Sequence, residues 1–252
     1  MYALKGKQQE PVIDRLINVN GVFVDSHFDK PPLPELFEFE GCVFYRYMDR
    51  LFSSVPITKL NSKESVQLCD VRLKYFDNLI DHQLNGSVVD EIKNILNKDQ
   101  SKRGNILDFG CGNGKYTATL KNEFPTFEFF GIDISQLAIE YANKENDRIF
   151  WLLVNEKEQL PFKDEYFFYI VSTFVMHLDI DKILLNELHR VLKNDGVFIF
   201  NIYNKKYLKN YLIEKFKHAG FCLDILPIGN LPTNHLLFLA RKDQITINYL
   251  PS

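Results

Sequence analysis

The stretch ILDFGCGNGKYT, residues 106–117, constrains the fold more than any other part of this chain. Three apolar residues and one acid run directly into Gly110, Gly112 and Gly114. A dense apolar run of this length reads as a buried strand. The glycines read as a turn in which the backbone can adopt positive φ and approach a ligand closely.

Behind this turn the pattern alternates. KYTATLKNEF has apolar residues at helical spacing and is followed by Pro125, whereas FEFFGID reads as a second strand. Ser135 suits the N-cap of a helix through SQLAIEYANK. RIFWLLV and EYFFYIVSTFVM carry a third and a fourth strand. DKILLNELHRVLK is amphipathic and stops near Asn194-Asp195-Gly196. GVFIFNIY is a fifth strand, and KKYLKNYLIEKFKHAG is a helix ending on Gly220. FCLDILPI and HLLFLARK flank a Gly-Asn-Leu-Pro turn and pair antiparallel. The expected fold is α/β: a Rossmann-like, doubly wound sheet of seven strands, mostly parallel, with an antiparallel last strand. Ligands of such sheets sit beyond the carboxyl ends of the strands, where the glycines fall.

Residues 1–99 read as an N-terminal extension, 100–242 as the core and 243–252 as a tail. In the extension, LINV-NG-VFVD is a hairpin pattern, since Asn20-Gly21 suits a tight primed turn. LFEFEGCVFYRYMDRLF concentrates aromatic residues, and SKESVQLCDVRLKYFDNLIDHQL and SVVDEIKNILNK read as two helices. Segments placed ahead of such a core can cover a ligand and build a second pocket. The aromatic cluster, with Tyr45 and Tyr47, therefore reads as an apolar or aromatic substrate wall. Ordinary core packing and a homodimer contact are the rival readings.

A chain of 252 residues, 46% hydrophobic, with a net charge of −3, lacks the broad positive field of a tight phosphate-backbone binder. No apolar run approaches the roughly 20 residues that span a bilayer, and MYALKGKQQEPV carries no secretory pattern. Cys42, Cys69, Cys111 and Cys222 form no CxxC pair, so free thiols in the cytoplasm and no metal site are expected.

What the glycine turn holds follows partly by elimination. A dinucleotide fingerprint needs a glycine where Lys115 stands, and a P-loop needs Ser or Thr where Tyr116 stands. Asp108 would repel a pyrophosphate but suits an ammonium or sulfonium group. Asp133, closing the second strand, suits both hydroxyls of a ribose. One acid for a cation and one for a ribose, with no phosphate device, describe S-adenosylmethionine.

These residues resemble the class I S-adenosylmethionine-dependent methyltransferases of the ubiquinone-biosynthesis (type 11) group. ILDFGCGNG is similar to that family's first motif and GIDIS to its second. NEKEQLPFKDEYFFYIVSTFVMHL and ELHRVLKNDGVFIF are similar to its later ones. The resemblance spans about residues 100–242. It implies that Asp108 lies under the methionine end and that Gly110, Cys111, Gly112 and Thr173 meet the cofactor. It further implies that Asp133 holds the ribose and that Ile134 packs on the adenine. Glu156 and Lys157 would stand at the adenine amino group, where the family more commonly has Asp and a small residue. S-adenosylhomocysteine would be the product, with no metal required.

His177, in FVMHLD after the fourth strand, is the candidate general base, because a neutral imidazole takes a proton near pH 7. A hydrogen-bonded histidine that shapes the loop is the alternative. The acceptor expected is an apolar or aromatic small molecule, methylated on an O, N or C atom; RNA- or protein-directed transfer and a non-catalytic cofactor-binding regulatory protein are the alternatives. Ser172-Thr173-Phe174-Val175 stands where amino-methylating nucleic-acid enzymes carry an (Asp/Asn)-Pro-Pro-aromatic turn, so nucleic acid loses ground as a partner. No membrane partner is expected.

Overall fold

The structure is a computed structural model of the chain. It describes the backbone of residues 16–19, 22–25, 36–39, 42–47 and 50–53, helical positions between 63 and 73, and then 82–98, 104–155, 157–178, 180–203, 206–226 and 235–243. Two compact units divide between Asp81 and His82.

In the first unit, β1 (Leu16–Val19) and β2 (Val22–Asp25) form the antiparallel hairpin expected around Asn20-Gly21. The aromatic stretch is an antiparallel meander of β3 (Leu36–Phe39), β4 (Cys42–Tyr47) and β5 (Arg50–Ser53). Aromatic and β-branched residues suit a pleated surface, which accounts for strands here. Tyr45 and Tyr47 lie on β4, and their side chains fall outside the described residues.

The second unit begins with α1 (His82–Asn97), so this helix belongs with the core and not with the extension. Val88, Val89, Ile92 and Leu96 form its apolar stripe, each at most 2% exposed, and pack into the core cluster with Ile106 and Phe129. Burying four such side chains contributes roughly 6–12 kcal/mol before entropy is counted. That packing carries the helix straight through Asn85-Gly86, where local chemistry alone predicts a break.

Next come β6 (Asn105–Phe109), α2 (Lys115–Glu123), β7 (Glu128–Asp133), α3 (Gln136–Glu145), β8 (Phe150–Leu153) and β9 (Phe167–Ser172). They are followed by α4 (Lys182–Val191), β10 (Leu192–Tyr203), α5 (Lys206–His218), β11 (Phe221–Leu226) and β12 (His235–Lys242). The seven strands order as β11-β12-β10-β9-β6-β7-β8. Neighbours from β10 to β8 run parallel, and β12 runs antiparallel to both β10 and β11. This is the expected doubly wound sheet, and β6, which carries Asp108, is enclosed between β9 and β7. Among the described residues no helix is long and apolar enough to cross a membrane.

Two local devices set the strand ends. Ser135 caps α3 by accepting from the Ala138 N–H at 3.0 Å, so the chain leaves β7 and enters a helix within two residues of Asp133. Arg190 of α4 pins the loop before β9. Its guanidinium donates to the carbonyls of Phe162 (2.7 Å) and Leu160 (3.1 Å), and to Asp164 (2.7 Å) and Glu187 (2.6 Å). Glu187 in turn accepts from the Leu160 N–H at 2.8 Å, and the Arg190 hydrogen bonds hold its carboxyl below the usual range.

Candidate cofactor site

The glycine turn is built on backbone. The N–H groups of Gly110 and Cys111 both donate to the Ile132 carbonyl, at 2.8 and 3.1 Å, so the chain leaving β6 folds over the end of β7. Gly110, Gly112 and Gly114 all have positive φ, 73°, 55° and 77°. Their surroundings differ. A Cβ on Gly110 would lie 2.4 Å from Val175 Cγ2, and one on Gly114 would lie 2.6 Å from the Trp151 ring. At Gly112 a Cβ would meet nothing within 4 Å. Gly110 and Gly114 thus permit close packing, and Gly112 alone faces open space.

Asp133 closes the cradle. Its Oδ2 accepts from the Gly112 N–H and its Oδ1 from the Ser135 N–H, both at 2.9 Å. The partly exposed carboxylate is a charged acceptor of the kind that suits a diol. Ile134, partly exposed, follows directly.

Asp108 is 3% exposed. Thr117, in the first turn of α2, donates its hydroxyl to Asp108 Oδ2 at 2.5 Å. The other oxygen, Oδ1, is buried and has no hydrogen-bond partner. The carboxyl is pushed up to about 7, chiefly by burial; the Thr117 hydrogen bond opposes the rise and the Asp133 charge adds to it. An orphaned buried carboxylate oxygen is costly and invites a donor or a cation. The Cys111 thiol, buried beside these acids, is pushed well above its ordinary range by burial first and then by their charge.

An orphan oxygen on Asp108, open space at Gly112 and the partly exposed Asp133 carboxylate fit a ligand with a cationic end and a ribose. The residues therefore suit S-adenosylmethionine. Thr117 escaped the sequence reading; a buried hydroxyl one turn into the helix after a glycine loop is the signal that could have found it.

The other expected residues scatter more. Thr173 and Phe174, both partly exposed, follow β9, and His177 is buried at 3% exposure in the same segment. Lys157 is exposed, and its N–H donates to Asn155 Oδ1 at 3.1 Å. Glu156 lies outside the described residues. Asn201 and His235, which the sequence alone does not single out, are buried beside Phe174.

Residues 107–200 match the methyltransferase domain family, type 11. An uncharacterised protein of Methanocaldococcus jannaschii is 36% identical over 132 residues, covering 50% of this chain and 49% of its own. The human mitochondrial arginine-hydroxylase NDUFAF5 is 31% identical over 150 residues, covering 56% of this chain and 43% of its own. The chain thus spans about half the length of the curated relatives it matches. Among solved structures, a TehB-like S-adenosylmethionine-dependent methyltransferase from Corynebacterium glutamicum superposes with a TM-score of 0.52 at 22% identity, over 62% of this chain and 87% of that one. Strand order and family match agree: residues 107–200 match the type 11 methyltransferase domain family, and the sheet that holds them has the fold of the S-adenosylmethionine-dependent methyltransferases.

Proposed function

We propose that this protein transfers the methyl group of S-adenosylmethionine to an O, N or C atom of a small, largely apolar acceptor. The observation that carries this reading is the chemistry of the segment beyond β9. Phe174, Val175, Met176 and Leu178 are apolar, and its polar member His177 is buried. Such a wall suits an apolar acceptor and the exclusion of water.

In this reading Asp108 faces the ammonium and sulfonium end of the cofactor, and the Gly112 backbone allows its close approach. Asp133 accepts from the ribose hydroxyls while still tying Gly112 and Ser135, and Ile134 packs on the adenine. Gly110, Cys111 and Thr173 border the methionine end, and Glu156 and Lys157 the adenine amino group. When bound, the cofactor supplies an electrophilic methyl on a neutral leaving sulfur. The protein's task is then alignment of the nucleophile, worth about 7–11 kcal/mol of the barrier when it is good. His177 is the group proposed to take a proton where the acceptor carries one. Tyr45 and Tyr47 are proposed as acceptor-binding residues.

A second reading has one specific support, the similarity to an arginine hydroxylase. In this reading the methyl acceptor is a protein. One experiment separates the two. The protein is incubated with methyl-labelled S-adenosylmethionine and cell extract split into small molecules, protein and RNA. Label in the small-molecule fraction is expected. Label confined to protein favours the second reading, and label confined to RNA contradicts both.

A further inference from the structure

Phe174 has φ 60°, a left-handed backbone that a bulky side chain rarely adopts. Such a residue persists only where its surroundings over-determine it. Here the determinant comes from another strand. The Phe174 N–H donates to Asn201 Oδ1 at 2.8 Å, and Asn201 is 1% exposed near the C-terminal end of β10. The opposite end of the Asn201 amide, Nδ2, lies 3.3 Å from Nδ1 of His235, the first residue of β12. The His235 ring meets the Phe174 ring edge-on, with centroids 5.5 Å apart. Three segments are therefore joined through one buried amide.

The register explains why an amide is needed at this place. β9 pairs with β10 through Ser172 and Phe200, after which β9 leaves the ladder. The next residue of β10 is Asn201, and its side chain receives the N–H that departing β9 would otherwise leave unbonded. Ser172 fixes the other flank by donating its hydroxyl to the Phe109 carbonyl at 2.8 Å. The turned segment then brings Val175 onto the glycine loop, where its methyls fill the space a Gly110 side chain would need. A path of direct contacts runs from β12 through Asn201 and Phe174 to Val175 and Gly110.

We propose that Asn201 is a positioning residue of the methyl-transfer site: it holds Phe174 left-handed and thereby seats the segment 173–178 against the cofactor loop. The inference rests on reading the glycine loop as the cofactor cradle. His235 meets the other end of the amide, with Asn201 Nδ2 toward its Nδ1 and Oδ1 left for the Phe174 N–H. Asn201 needs no contact with the cofactor to act in this way.

The test measures S-adenosylhomocysteine affinity by titration calorimetry at a temperature well below unfolding, with melting recorded separately. Asn201→Ala is expected to weaken binding roughly tenfold, as the left-handed turn relaxes. Asn201→Asp keeps an acceptor for the Phe174 N–H but turns an oxygen toward His235 Nδ1 in place of Nδ2, so it is expected to bind more tightly than Asn201→Ala and less tightly than wild type. Glycine adopts the left-handed conformation without help, so Phe174→Gly combined with Asn201→Ala is expected to bind within about twofold of Phe174→Gly alone. A merely structural Asn201 would lower melting and leave affinity unchanged, and that result overturns the proposal. If Asn201→Ala does not fold, the double variant decides. Recovery there supports the proposal, and a folded double variant with lost affinity, or one that also fails to fold, overturns it. Wild-type protein that does not bind S-adenosylhomocysteine overturns the cradle reading and this inference together. Wild-type binding with an unchanged Asn201→Ala overturns this inference alone.

Discussion

The backbone N–H of Gly112 donates to Asp133 Oδ2 at 2.9 Å, so one side chain ties the glycine loop after β6 to the end of β7. Asp133 therefore has two functions in this account: it shapes the loop and it accepts from the ribose. Asp133→Ala removes both. It is expected to weaken S-adenosylhomocysteine binding by about 1.5–3 kcal/mol, or roughly 10–150-fold, and to lower the melting temperature as well. Asp133→Asn keeps one carbonyl acceptor and should fall between the two. An Asp133→Ala protein with wild-type affinity would remove this residue from the site.

The glycines separate packing from ligand approach. Gly110→Ala would drive a Cβ into Val175, whereas Gly112→Ala would place one in open space. Both pay the same kind of left-handed strain, about 1 kcal/mol. Gly110→Ala is expected to lower thermal stability severely. Gly112→Ala should fold with a melting temperature a few degrees lower and yet lose at least about tenfold in cofactor affinity. Paired melting and calorimetry on the two variants check this, and equal affinity for Gly112→Ala and wild type would contradict it.

Asp108 gives the protein a pH signature. Its carboxyl rises from an ordinary 3.8 when unfolded to about 7 when folded. The folded state thus binds the extra proton between these values, and the contribution of this group to stability falls as pH rises from about 4 to about 7. Above that window its ionisation penalty, a few kcal/mol at most, is fully present. In denaturant titrations Asp108→Asn is expected to flatten the loss of stability across this window. A cation placed at Oδ1 favours the carboxylate, so cofactor binding near pH 7 should release a proton and tighten as pH rises. Calorimetry in buffers of differing ionisation enthalpy reads the proton directly. No proton release from wild type would contradict the placement of Asp108.

Arg190 supplies a contrast outside the site. It bonds two carbonyls and two carboxylates around the loop 160–164. Hydrogen bonds to charged groups are worth about 1.5–3 kcal/mol, so Arg190→Ala is expected to destabilise by about 2 kcal/mol or more. Cofactor affinity of the folded variant should stay near wild type. A large loss of affinity at unchanged stability would show that the loop contributes to the cradle.

The fold and part of the candidate site are legible in the sequence, and the division has a physical cause. Asp108, the glycines, Asp133 and the Ser135 cap are fixed by local patterns: a strand, a turn and a helix start within 30 residues. The mostly parallel character of the sheet follows from the alternation of strands and helices. The run of α1 through Gly86 was not legible, because tertiary packing of Val88, Ile92 and Leu96 outweighs the local turn signal. Nor was the left-handed Phe174. Its cause lies in Asn201, 27 residues onward, and in His235, a further 34. Contacts at such separations leave no periodicity in a single sequence.

Titration calorimetry with S-adenosylmethionine and, separately, with NAD tests the central claim most directly. The account predicts saturable binding of S-adenosylmethionine, accompanied near pH 7 by proton release, and no comparable heat from NAD. Saturable NAD binding with no heat from S-adenosylmethionine would contradict it.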